Sequence, residues 1–352
     1  MAKKSKKGLT VFIIILALAL LLGIFQVLDF VLSDNFSQNY EIQPKEFNSK
    51  PLNPIIKLNN KKNKSNFKNQ KNSYIAKLVI EGTIQSANQT YNQEWLLDTI
   101  EGLKNDPNNK GIILFIDSPG GTVYEADEAY LALMNYKKET SRPIYAYMAS
   151  MAASGGYYIA CSADYITANR NCLTGSIGVI AGQFVDLTEL MKTYGIKAET
   201  IHAGKNKNMG SFNEPLTDEQ RQIMQSIADE CYEQFTKIVA SSRKMKIQDV
   251  EKLADGRVYT AKQALLNGLV DYIGDFELCS NAMDRKEFDF ADYPIYTYQY
   301  EKTQNFYDMF MSVSKGISKI SKSPVNLPDS LENLLSPNIS FPAYYFQMNS
   351  SF

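Results

Sequence analysis

Four short runs rich in β-branched and aromatic residues, 74–80, 111–117, 143–148 and 164–168, most of them separated by helical stretches, fix the fold class of this chain more tightly than any other feature. Between them, residues 94–103 and 123–136 carry apolar side chains at spacings of three and four, the signature of helices that bury one face. A strand that reaches the next strand through a helix re-enters the sheet in the same direction, so the rhythm predicts a mostly parallel sheet with right-handed crossovers, an α/β core. A longer helix is predicted from Thr217 to Ser242, where Thr217 caps the first turn and Gln220 returns the bond.

Ahead of that body lies a segment of a different kind. Residues 9–28 form an apolar run broken only by Thr10 and Gln26 and preceded by Lys3, Lys4, Lys6 and Lys7. About 20 helical residues span roughly 30 Å, the hydrocarbon thickness of a bilayer, so the run reads as one transmembrane helix. The lysines place the amino terminus in the cytoplasm and everything after the helix outside. A cleavable signal peptide is the rival reading, but the run is long and lacks a small-residue cleavage site at its end. The expected organisation is a basic cytoplasmic segment (1–8), an anchor (9–32), a linker (33–73), a catalytic body (74–300) and a tail (301–352). Residues 57–72 hold six Lys and six Asn with only Leu58 and Phe67 apolar, too little to offset the entropy of ordering them. The tail beyond Lys302 is rich in Ser, Asn, Pro and aromatics and reads as an arm.

Composition removes several chemistries. With 37 basic against 38 acidic residues, nothing draws the chain to nucleic acid. One histidine and four cysteines, Cys161, Cys172, Cys231 and Cys279, show no close ligand spacing, so no metal site is expected. A serine nucleophile of the usual kind would depend on His202, read here as ending a strand.

Two glycine-rich turns remain. In D-S-P-G-G-T-V (117–123) the glycines permit a sharp strand-to-helix turn with backbone N–H groups facing open space; the same residues serve turns that have geometry as their only role. In M-A-A-S-G-G-Y-Y-I-A (151–160) small residues surround Ser154, whose hydroxyl is either a nucleophile beside the Gly155 N–H or a helix cap. Downstream, Lys205 and Lys207 stand in G-K-N-K-N. A lysine can act as a base only when uncharged, which desolvation can bring about; otherwise such a loop is a solvated surface.

Taken together, S-P-G-G, A-S-G-G-Y-Y-I-A, T-G-S-I-G-V (174–179), A-G-K-N-K (203–207) and D-G-R-V-Y-T…G-L-V-D (255–271) resemble, in order and spacing, the bacterial signal peptide peptidase A family. The resemblance spans roughly residues 74–288. It implies a ClpP/crotonase-like fold and a membrane-anchored serine protease with Ser154 as nucleophile and Lys207 as general base. It further implies that Ser176 orients the lysine, that Gly121 and Gly155 form the oxyanion hole, and that no cofactor is used. Where the family pattern often has an acidic residue after the lysine, this chain has Asn208. Because the chain holds one copy of the domain, the resemblance implies a homo-octamer at the bacterial cell membrane with each site completed between neighbouring protomers. The implied substrates are cleaved signal peptides and other unfolded apolar peptides. Competing readings are a Ser-His-Asp peptidase, which the position of His202 disfavours, a crotonase-like acyl-CoA-handling enzyme, which the outward location disfavours, and a non-catalytic membrane scaffold of the same fold.

Overall fold

The computed structural model describes residues 70–302 and 343–345. The expected anchor and nearly all of the linker lie outside the described residues, among which no helix is long and apolar enough to cross a membrane.

The central strands are β1 (Tyr74–Glu81), β2 (Asn109–Ser118) and β4 (Ile144–Ala153), with the short β3 (Gly120–Thr122) directly after β2. Strands β5 (Tyr165–Ala168), β6 (Leu173–Gly175), β7 (Val258–Thr260), β8 (Tyr272–Ile273) and β9 (Ile295–Tyr298) complete one sheet in the order β7-β6-β4-β2-β1-β9. Its pairings are parallel except β6 with β7. Strand β4 is long enough to fork the sheet: its first half pairs with β5 and its last three residues pair with β6, Ala153 opposite Gly175. That fork brings the 151–160 and 174–179 motifs side by side.

Alternation along the strands sends Ile112, Leu114 and Ile116 to one face and Ile113 to the other, and both faces are covered, as the near-continuous apolar runs require. The larger core is closed by α1 (Gln93–Asn105), α2 (Val123–Thr140), the short α3 (Gly155–Ala160) and the second half of α5 (Asp218–Arg243), which follows α4 (Thr188–Thr193). Helices α6 (Ile247–Leu253) and α7 (Ala261–Leu266) flank the same core, and α8 (Phe276–Glu287) covers the opposite face with Cys279, Ala282 and Met283. The capping box opening α5 is formed: the Gln220 N–H donates to Thr217 Oγ1 at 3.2 Å and the Thr217 N–H donates to Gln220 Oε1 at 3.0 Å. The four cysteines are free, and burial pushes the thiols of Cys161, Cys172 and Cys279 up to about 12.

Two local expectations change. His202 ends no strand; it lies on an exposed turn with its Nδ1 3.1 Å from the Gly204 carbonyl. The tail is not uniformly an arm either: Ala343–Tyr345 forms β10, antiparallel to β3.

Candidate active site

The site is built where β2 and β4 end. Ser154 follows the last residue of β4 and precedes α3, with φ 53° and ψ −117°, a conformation an L-residue adopts only under constraint, at a cost of order 1–3 kcal/mol. The constraint is visible: the Ser154 N–H donates to the Gly175 carbonyl at 2.8 Å, and its carbonyl accepts from the Tyr158 N–H at 2.9 Å. Its hydroxyl makes no capping bond to α3. Of the two roles open to this serine, the helix cap is the one the geometry does not support.

Because the Ser154 N–H is already used, the next donor along the chain is the Gly155 N–H, which as the first helical residue has no intrahelical acceptor. The point where a Gly155 side chain would begin is 3.1 Å from the Gly121 nitrogen. Gly121 tolerates no side chain at all, since a Cβ there would run into the Ile84 backbone, and Gly120 holds φ +100°. The glycines of the two motifs are thus packed backbone to backbone, the arrangement two converging oxyanion donors require.

Two residues outside the expected set hold this turn. Ser118, fully buried, donates to the Gly82 carbonyl at 2.6 Å and accepts from the Gly120 N–H at 3.1 Å. Asp117 accepts from the Ser150 hydroxyl at 2.5 Å and from the Met151 N–H at 3.1 Å, tying the end of β2 to β4. Both belong to the D-S-P-G-G motif, but their role depends on which strand lies beside them, which the motif does not contain.

Ser176 continues β6 just as Ser154 continues β4. It is 7% exposed, has φ 48°, and donates its N–H to the Arg257 carbonyl at 2.8 Å. The pairing of Ala153 with Gly175 places the two serines at neighbouring positions on the same edge. Arg257 belongs to the fourth quoted run, D-G-R-V-Y-T, so three separated motifs converge here.

Lys207 is not brought to them within one chain. It lies exposed on a turn, its N–H donating to the Gly204 carbonyl at 3.0 Å. The two lysines of the loop differ: Lys205 is ion-paired with Glu219, which also accepts from Asn206, whereas Lys207 makes no ion pair among the described residues. The surrounding segment has little core of its own. From residue 181 to 219 only Met191 is buried, while Phe184, Leu190, Tyr194, Ile196, Ile201 and Phe212 are exposed. Among the described residues no cluster of three metal-binding side chains occurs.

Comparison with known proteins agrees with this geometry. Residues 136–288, which include Ser154, Ser176 and Lys207, match peptidase family S49. A protein of Enterococcus faecium, assigned by inference as signal peptide peptidase SppA, is 34% identical over 239 residues, covering 66% of this chain and 69% of that one. The chloroplastic serine protease SPPA of Arabidopsis thaliana is 34% identical over 196 residues, 55% of this chain and 28% of its own. A variant of ClpP1 from Listeria monocytogenes is similar in structure at 17% identity and a TM-score of 0.37, covering 56% of this chain and 91% of that one, a likeness too loose to bear on the fold described above. With a buried serine on a constrained strand-to-helix turn and a relative matched over more than two thirds of its length, the chain belongs to peptidase family S49, a family of serine proteases.

Proposed function

We propose that this chain is a membrane-anchored endopeptidase in which Ser154 and Lys207 form the catalytic dyad. The observation that carries the reading is the Ser154 turn: its own N–H is spent on Gly175, its hydroxyl is not spent on capping, and the Gly121 and Gly155 backbones meet beside it. In the acyl-transfer step uncharged Lys207 takes the Ser154 proton as the oxygen attacks a peptide carbonyl. The N–H groups of Gly121 and Gly155 receive the developing negative charge, the amine leaves with the proton from the lysine, and water releases the acyl group. Ser176, next to Ser154 on the sheet edge, is suited to orient the lysine amine. None of these steps calls on a metal or cofactor.

The exposed Lys207 bears on assembly. A base on an apolar, unburied segment and a buried nucleophile that lacks one are complementary halves, so each site is completed by the lysine of a neighbouring copy in a homo-oligomer, an octamer in this reading. Residues 9–32 anchor the chain in the bacterial cytoplasmic membrane with the catalytic body outside, where the substrates are cleaved signal peptides and other unfolded apolar peptides. The crotonase-like and scaffold alternatives give no use to a serine held in this conformation.

The test is hydrolysis of a synthetic apolar signal peptide by the full-length protein in detergent. Because the base must be uncharged, the rate rises with pH across the neutral range and is lost on the acid side. A rate already maximal at about pH 5 would rule out a lysine base.

Gly155→Ala separates the oxyanion hole from the fold. The residue is helical, so alanine suits its backbone, but the new methyl sits 3.1 Å from the Gly121 nitrogen, where the oxyanion would be. We expect kcat to fall by about 10²–10³-fold with a thermal midpoint shifted by only a few degrees. Wild-type kcat in a folded variant would remove Gly155 from the site.

A further inference from the structure

Strand β3 uses only one of its edges for the body of the protein. The Thr122 N–H donates to the Ile84 carbonyl and the Gly120 carbonyl accepts from the Ile84 N–H, both at 2.9 Å. Alternation therefore turns the N–H and C=O of Gly121 to the other side, and there lies Tyr344 of β10, the antiparallel partner of Gly121. The Tyr344 carbonyl oxygen is 3.2 Å from the point where a Gly155 side chain would begin, at the meeting place of the Gly121 and Gly155 backbones. A segment of the chain itself thus lies where an extended substrate would pair, with one carbonyl presented to the proposed oxyanion donors.

The Tyr344 side chain is fully buried. Its ring stacks on Tyr158, with centroids 4.9 Å apart and planes 24° apart, and meets Phe235 at 4.8 Å. Its hydroxyl donates to the Cys231 carbonyl at 2.9 Å. The cavity wall is set by bonds that do not involve Tyr344: the Tyr158 hydroxyl donates to Asp127 at 2.6 Å and accepts from Gln234 at 2.7 Å. Two aromatic walls and a carbonyl at the far end fit a flat side chain with a terminal donor. Leucine cannot stack or donate, and phenylalanine leaves the carbonyl without that partner.

Resting on the reading of Ser154 as nucleophile, we propose that the cavity holding Tyr344 is the subsite for the residue preceding the scissile bond, that it selects tyrosine, and that β10 competes with substrate for it. In the reaction this implies, Ser154 Oγ bonds to the tyrosine carbonyl carbon while that carbon's bond to the following nitrogen breaks. The amine leaves with the proton relayed through the lysine, and water then frees the peptide ending in tyrosine.

The experiment uses full-length protein in detergent and internally quenched peptides that differ only in carrying Tyr, Phe, Leu or Ala at one position, with products mapped by mass. Expected is cleavage after that position, with kcat/KM for Tyr about five- to tenfold above Phe and about 10²-fold above Ala. Tyr344→Ala, which removes the competing ring, lowers KM for the Tyr peptide several-fold with kcat unchanged. Equal kcat/KM for Tyr and Ala, or cleavage mapping elsewhere, overturns the subsite; an unchanged KM in a folded Tyr344→Ala protein overturns the competition. The peptide series on the unsubstituted protein tests the subsite even if the variant fails to fold. Failure is distinguishable from failure of the underlying reading, because a protein that hydrolyses none of the peptides and whose Ser154 is not labelled by a fluorophosphonate has lost the nucleophile assignment, not merely the subsite.

Discussion

Replacing Ser154 with alanine abolishes peptide hydrolysis, a loss of about 10⁴–10⁶-fold in kcat, while leaving the protein folded. The size follows from the loss of the nucleophile: the oxyanion donors and the substrate strand position survive, but no acyl intermediate can form. The fold tolerates the change because the Ser154 hydroxyl makes no cap, and the bonds that hold the turn come from its backbone N–H and C=O. Alanine still has to adopt φ 53°, so a modest drop in thermal midpoint accompanies the loss. Steady-state assays on the synthetic signal peptide, alongside circular dichroism, decide the matter; a folded variant with activity within tenfold of wild type would show that another residue attacks the substrate.

Lys207→Ala is expected to be nearly as severe, about 10³-fold or more, whereas His202→Ala stays within about twofold of wild type. The two lie five positions apart on the same exposed segment, so the contrast isolates the chemistry of the base from any general effect on the segment. The same pair of dead variants tests assembly. If each site takes Ser154 from one copy and Lys207 from its neighbour, mixing Ser154→Ala with Lys207→Ala protein under exchange conditions restores activity to about a quarter of wild type, because random neighbours complete that share of sites. No recovery after verified subunit exchange would place both groups of the dyad on one copy. Full activity in Lys207→Ala alone would remove the lysine from the mechanism.

Much of the body was legible before any coordinates. The strands at 74–80, 111–117 and 164–168 appear within a few residues of their expected ends, since apolar runs of that length have few alternatives in an α/β core. The strand expected at 143–148 extends to Ala153, past the point where its β-branched and aromatic character gives way to small residues, because pairing with β6 rather than residue preference holds that second half extended. The opening of α5 was legible as well, since a capping box is a purely local device. By contrast, His202 was misplaced: I-H-A-G has the composition of a strand end, but no neighbouring strand lies there to pair with it.

Within the site, the motifs announced Ser154, Ser176, Gly121 and Gly155 as candidates, yet nothing in them distinguished a capping serine from an exposed nucleophile or a geometric glycine from an oxyanion donor. Those distinctions rest on where one backbone N–H is spent and on what a missing Cβ would strike, and both are set by the strand next door.

By itself the sequence determined the alternation of strands and helices, the positions of the two glycine turns, the family, and the local caps, because each depends on residues close together along the chain. Only the tertiary structure decided that Gly175 takes the Ser154 N–H, that Lys205 and not Lys207 is tied to Glu219, and that Tyr344 lies against the Gly121 edge. Tyr344 and Gly121 are far apart along the chain, and a contact of that kind leaves no periodicity or spacing to read. It arises from an unused sheet edge and an aromatic cavity, which exist only once the chain has folded.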